Sequence, residues 1–246
     1  MDTAPPRIFD NARRHAVWER MLVRQQREDA ARFVLDEMAD DLAERVSFMQ
    51  LAAEHTLLIG LPDRFDPLPG YVVRHAPLDR DEEAPLSEGG FDCIIAAQTL
   101  STVNDLPGAL LHLNRGLASG GVLLLSMVGA GSLTHLRRAM IAAEPDRPAA
   151  RMHPLVDNRS ATGLLERAAF SRFVVDSSSL QVAYRTLDRL VHDLRDQGLT
   201  NQLASRSPPL SRASLERARS AFLDHADADG RVVETFELLT LTGWKS

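Results

Sequence analysis

The sequence predicts an α/β protein built on a mostly parallel sheet covered on both faces. Three observations carry this. Short apolar runs alternate with helical stretches from about residue 51 onward. Two of those runs, one within FDCIIAAQTL and one at Val122–Met127, are continuously apolar, as strands buried on both faces are. The closing segment RVVETFELLTLTGW is rich in strand formers and follows a turn at Asp229-Gly230.

Taken in order, residues 7–49 read as helix. Val17, Met21, Val23, Phe33, Val34, Met38, Leu42 and Val46 recur at roughly helical spacing, with no Pro or Gly between them. The first part is arginine-rich (Arg13, Arg14, Arg20, Arg24, Arg27, Arg32) and the second acidic (Asp36, Glu37, Asp40, Asp41, Glu44). Two readings fit: a solvated face with i,i+4 pairs, or a basic lid or docking surface. Residues 1–50 are therefore set apart as an N-terminal helical segment, and 51–246 as the main domain. Leu57–Gly60, Tyr71–His75 and Cys93–Ala97 read as strands. Asp105–Leu117 reads as a helix opened by NDLP, a polar cap before a first-turn proline. Ser119-Gly120-Gly121 reads as a turn into the strand Val122–Met127. Ser132–Glu144 and Thr162–Ala169 are helical, and Phe173–Val182 is a strand. The stretches 186–197 and 211–225 are helical and lie in an insertion over about 185–228, before the closing strand Arg231–Trp244.

The bulk numbers exclude several classes. A chain of 246 residues makes one large α/β domain or two small ones. A net charge of −6 argues against nonspecific nucleic-acid binding. The single Cys93 excludes an internal disulfide and a cysteine-based metal cluster, and its apolar setting marks it as an inert core residue. No apolar run approaches the ~20 residues of a membrane span, and MDTAPPRIFD lacks the apolar core of a secretory signal. Of the 28 basic residues only Lys245 is lysine, a bias that fits a bacterial cytoplasmic protein. No catalytic residue stands out. Nor does any two-His-one-carboxylate grouping, so no metal site is expected.

Longer stretches carry a family likeness. FDCIIAAQTLSTVNDLPGALLHLNRGLASGGVLLLSMVG resembles the fourth strand, fourth helix and fifth strand of class I S-adenosylmethionine-dependent methyltransferases. VNDLPGAL (103–110), HDLRDQGLTN (192–201), DGRVVETFELLTLTGW (229–244) and the opening IFDNARRH (8–15) resemble one subgroup of it. That subgroup holds the malonyl-carrier-protein methyltransferase of biotin synthesis and the methyltransferase-like assembly factor of respiratory complex I, the latter being the nearer likeness. The resemblance implies a three-layer Rossmann-like fold with strand order 3-2-1-4-5-7-6 and an antiparallel last strand. It places S-adenosylmethionine across the carboxyl ends of the first strands, at the switch point. It also implies three pocket features: a glycine-rich turn after strand one, an acid ending strand two for the ribose, and an acid before strand four for the adenine.

Against that pattern the chain is reduced. Three apolar residues run into Gly60, but Leu58 replaces the acid that opens the turn, and Pro62 and Arg64 replace the later glycines. Proline removes a donor, and a side chain takes up space that glycine leaves bare. The second strand ends in Arg74 and His75, and a guanidinium cannot accept from ribose hydroxyls. Asp81 stands at the adenine position. By resemblance, Gly60, Asp81 and Gln98 are the residues left to contact the cofactor. The subgroup's His-Trp pair is here Ser101-Thr102. Only 30 residues separate Gly60 from Phe91, too few for two crossover helices and two strands. The first half is thus expected to lack those helices and one edge strand. Asn104, Asp105, Arg137, Asp193, Arg195, Asn201, Arg206 and Trp244 match subgroup positions. Caps and helix-surface pairs are one reading of them. A substrate or partner surface, made above all of Asn104, Arg137, Asp193, Arg195 and Asn201, is the other.

Together these readings imply a degenerate methyltransferase-fold protein that binds a protein partner, by resemblance a subunit of respiratory complex I. It would hold S-adenosylmethionine weakly or not at all. The alternative is an active methyltransferase with a rebuilt cofactor pocket.

Overall fold

A computed structural model describes residues 7–61, 65, 70–75, 80–146 and 149–246. Pro62, Arg64 and most of the segment DRFDPLPG lie outside the described residues. The elements run α1 (Asn11–Gln25), α2 (Phe33–Phe48), β1 (His55–Ile59), β2 (Tyr71–His75), β3 (Phe91–Ala97), a 3-10 turn (Thr99–Thr102), α3 (Leu106–Gly116), β4 (Leu117–Val128), α4 (Thr134–Ala143), α5 (Asn158–Arg167), β5 (Arg172–Tyr184), α6 (Leu187–Asp196), α7 (Arg212–Leu223) and β6 (Val232–Trp244).

The sheet has six strands in the order β2-β1-β3-β4-β6-β5. The first four pair in parallel, and β6 runs antiparallel to both β4 and β5. This is the expected order with its outermost first-half strand absent among the described residues. Residues 60–70 join β1 to β2 and 76–90 join β2 to β3, and the described ones carry no helix.

Period-two alternation divides the strands between two cores. Leu58, Cys93, Ile95, Val122 and Leu124 face a layer that includes α2, α4, α6 and α7. Leu57, Ile59, Ile94, Leu123 and Leu125 face α3 and α5. These strand residues are buried to 2% exposure or less, and each such aliphatic side chain contributes about 1.5–3 kcal/mol. The helix starts follow local chemistry. Asp105, Asp157, Thr186 and Ser211 each accept from the backbone N–H three residues on.

Two expectations are corrected. The single helix over 7–49 is two helices, broken at Gln26–Arg32 although no breaker residue lies there. The cause is tertiary. Asp196, fully buried, accepts from the Ala31 N–H at 3.3 Å and from Arg24 and Arg27 at 2.9 Å. Arg32 folds back to donate to the carbonyls of Gln25 and Arg27. Those bonds outweigh the helical ladder at this point.

The second correction concerns Ser119-Gly120-Gly121, which is not a turn before a strand but part of β4. The pairing with β3 slips between Phe91 and Cys93. Gly120, at φ +79°, and Gly121 exchange hydrogen bonds with Lys245 beyond β6.

Candidate functional site at the carboxyl ends of the strands

In an open parallel sheet the crevice forms where neighbouring strands send their connections in opposite directions. Here that point lies between β1 and β3. Gly60 leaves β1 at φ +71°, its N–H donating to the His75 carbonyl at 3.1 Å. A Cβ at Gly60 would lie 2.5 Å from both the Ala97 oxygen and Thr99 Cγ2. Glycine is required because β1 and β3 end in direct contact.

Gln98 follows β3 at φ +62° and is buried. Its Oε1 accepts from the Val128 N–H at 3.2 Å and its Nε2 lies 3.3 Å from Ser101 Oγ. The amide therefore ties the end of β3 to the end of β4.

Next to these, Arg14 of α1 reaches in with only 5% of its surface exposed. It donates to Thr102 Oγ1 at 3.2 Å, to the Thr99 carbonyl at 3.3 Å and to Glu82 at 3.1 Å. Glu82 is itself 4% exposed, so the pair is desolvated. Asp81, one residue earlier, is exposed, and its carboxylate accepts from the Glu83 N–H at 3.0 Å.

Asn104 fastens the strand-end region to the N-terminal segment. Its Oδ1 accepts from the N–H groups of Ile8 and Phe9 at 2.8 Å, and its Nδ2 donates to the Phe9 carbonyl. Its own N–H donates to Glu83 at 2.5 Å.

A cavity of about 150 Å³ opens beyond the ends of β3 and β4. Leu136 and Met140 of α4, Val191 and Leu194 of α6, and Leu155 and Leu199 form much of its wall. Gln98, Arg151, His153 and Asn201 add polar groups. Arg151 is neutralised by Glu144 at 2.7 Å. His153 stacks edge-on against Phe9, with ring centroids 5.6 Å apart, and its Nδ1 is sealed from solvent without a partner. Burial, helped by Arg137, lowers this imidazole to about 4, so it is neutral near pH 7.

The five residues expected to form a partner surface therefore part company. Asn104 is the clasp, and Asn201 lines the cavity. Arg137 and Arg195 are exposed on α4 and α6. Asp193 is buried in α6 with Arg189 3.0 Å away, and burial raises its carboxyl. His192, Asp193 and Asp196 lie close enough together to suggest a metal, but arginines already pair both carboxylates. Cys93 is wholly buried, its thiol pushed up to about 12, and is chemically inert. Sequence reading missed Arg14, Glu82 and His153. Arg14 is hidden among similar arginines, and His153 is a lone histidine in a loop, so neither carries a pattern.

A family model described as a methyltransferase domain matches residues 22–172, more than half of the chain. The chain belongs to this methyltransferase family. It is 32% identical to the arginine-hydroxylase NDUFAF5, mitochondrial, of Danio rerio over 170 residues, covering 67% of this chain and 53% of that protein. It is 26% identical to the malonyl-[acyl-carrier protein] O-methyltransferase of Laribacter hongkongensis over 165 residues, covering 67% and 54%. The chain thus spans about half the length of the curated relatives it matches. A putative methyltransferase from Bacillus halodurans superposes with a TM-score of 0.51 at 13% identity, covering 83% of this chain and 98% of that one. At that identity the likeness establishes the fold.

The cofactor that methyltransferase membership implies is S-adenosylmethionine, and its place in this fold is the switch-point crevice. The described residues there do not fit an adenosyl group. Gly60 is pressed against Ala97 and Thr99, and the Arg14 guanidinium bridges Thr99, Thr102 and Glu82. The second strand ends in Arg74 and His75, so it offers no carboxylate to the ribose hydroxyls.

Proposed function

We propose that this member of the methyltransferase family is a protein-binding, assembly-type factor that holds S-adenosylmethionine weakly or not at all. One observation carries the reading: the buried Arg14–Glu82 pair sits where the crevice of the fold should be open. An adenosyl group filling the crevice with this pair broken would leave the Glu82 carboxylate desolvated and unpaired, which is strongly unfavourable. The partner, on the resemblance to the assembly factor, is a subunit of respiratory complex I, and the setting is the bacterial cytoplasm. No helix among the described residues is long and apolar enough to cross a membrane. Isothermal titration with S-adenosylmethionine tests the reading. No saturable heat is expected at micromolar concentrations, and a micromolar dissociation constant would overturn it.

A second reading, an active methyltransferase, is favoured by one feature. Arg14 rides on α1, a helix separated from α2 by the break at Gln26–Arg32, so withdrawing α1 would clear the crevice. Methyl transfer depends mainly on proximity and orientation and obliges few side chains. Labelled S-adenosylmethionine incubated with a cell lysate and this protein separates the two readings. Transfer of label would support the second, and an unlabelled lysate the first.

A further inference from the structure

A groove of about 460 Å³ runs between α5, the 3-10 turn and the start of α3. Its floor is apolar, with Leu100, Val103, Leu106, Leu155 and Leu164. Its charged lining residues are Arg159 and Arg167, and no described carboxylate lines it. Both arginines are exposed, and neither is ion-paired among the described residues. Asp157, two residues before Arg159, is taken up as the cap of α5, where it accepts from the Ser160 N–H at 2.6 Å. Arg167 Nε donates to the Gly163 carbonyl at 3.3 Å, which leaves its terminal nitrogens open.

The spacing of these groups is specific. Arg159, Gly163 and Arg167 follow one another at steps of four on α5, which puts them on one ridge of the helix. The two arginines are then ~12 Å apart along the axis, at 1.5 Å per residue. Between them Gly163 presents no side chain, and a Cβ there would meet nothing within 4 Å. In an extended chain, residues four apart are separated by ~13 Å and point to one side, as does the residue midway between them. A segment reading acid-x-apolar-x-acid therefore matches both arginines with its carboxylates and the gap over Gly163 with its central side chain. We propose that this groove docks such an acidic, extended segment of a protein partner. Charge complementarity selects it: on a chain of net charge −6, this lining is charged in the positive sense alone. The proposal rests on the protein-binding reading above and adds the chemistry of the partner.

The test is titration of the full chain with the peptide Ac-Glu-Ala-Phe-Ala-Glu-NH2 at low ionic strength, followed by NMR shifts. A dissociation constant on the order of 1 mM or tighter is expected, rising several-fold at physiological salt as exposed ion pairs are screened. The double change Arg159→Glu with Arg167→Glu, at exposed positions, should weaken binding at least about tenfold. Gly163→Leu fills the gap without a clash, so it should leave the melting temperature no lower and weaken the peptide about tenfold. Ac-Glu-Ala-Ala-Ala-Glu-NH2 should bind less tightly, and Ac-Lys-Ala-Phe-Ala-Lys-NH2 not measurably. No binding of the first peptide, binding that neither variant changes, or equal affinity for the lysine peptide would overturn the proposal. So would decanoate binding as tightly as the peptide, which would assign the groove to a free amphiphile. A chain that takes up neither the peptide nor S-adenosylmethionine overturns the groove assignment and leaves the protein-binding reading standing; one that takes up both does the reverse.

Discussion

Arg14 is one of six arginines in the first part of the N-terminal helical segment, and of these six it alone is buried. Sequence periodicity places it on a helix but says nothing of Glu82, 68 positions away. Arg14→Met should destabilise the fold by about 3–5 kcal/mol, because it strands a buried carboxylate. The double change Arg14→Met with Glu82→Met should recover most of that loss. Urea denaturation of the three proteins measures both.

His153 makes a second residue-scale prediction. The unfolded chain binds this proton below about pH 6.5 and the folded chain only below about 4. Its contribution is therefore complete above 6.5 and is lost as pH falls toward 4, by no more than about 3 kcal/mol. The stability difference between the unaltered protein and His153→Phe should shrink over that window. A difference independent of pH would contradict the burial assigned to this ring.

At the scale of elements, most boundaries were legible because caps and breakers are local. The helix Leu106–Gly116 opens at Asp105, as NDLP implies, and its carboxylate accepts from Gly108 at 2.9 Å. The α1–α2 break was not legible. Its cause, Asp196, lies 165 positions from Ala31. Asp196→Ala should loosen the joint at Gln26–Arg32 and cost about 1–3 kcal/mol, less than losing a fully buried partner, since Arg24 and Arg27 can rehydrate. Limited proteolysis at Arg27 should accelerate. Asn104→Ala should release the segment around Ile8 and Phe9, whose amides lose their acceptor. Hydrogen exchange at those two amides is the readout, with protection falling while α3 stays protected.

At the scale of the molecule, the sheet centre carries the stability. Leu124 is wholly buried in β4, and Leu124→Ala should cost about 2–5 kcal/mol. Val174 on the outer strand β5 is 46% exposed, and Val174→Thr should stay within about 0.5 kcal/mol. Chemical denaturation compares them. By itself the sequence determined the fold class and the shortened first half, because apolar period and chain length act locally or by simple reach, while the antiparallel last strand was implied by the family resemblance. Tertiary structure alone decided that α1 inserts Arg14 at the switch point, that Asp196 splits the helical segment, and that His153 meets a hollow between α4 and α6. Each of these joins residues dozens to well over a hundred positions apart. Charge pairing and burial over such separations leave no periodic trace along a single chain.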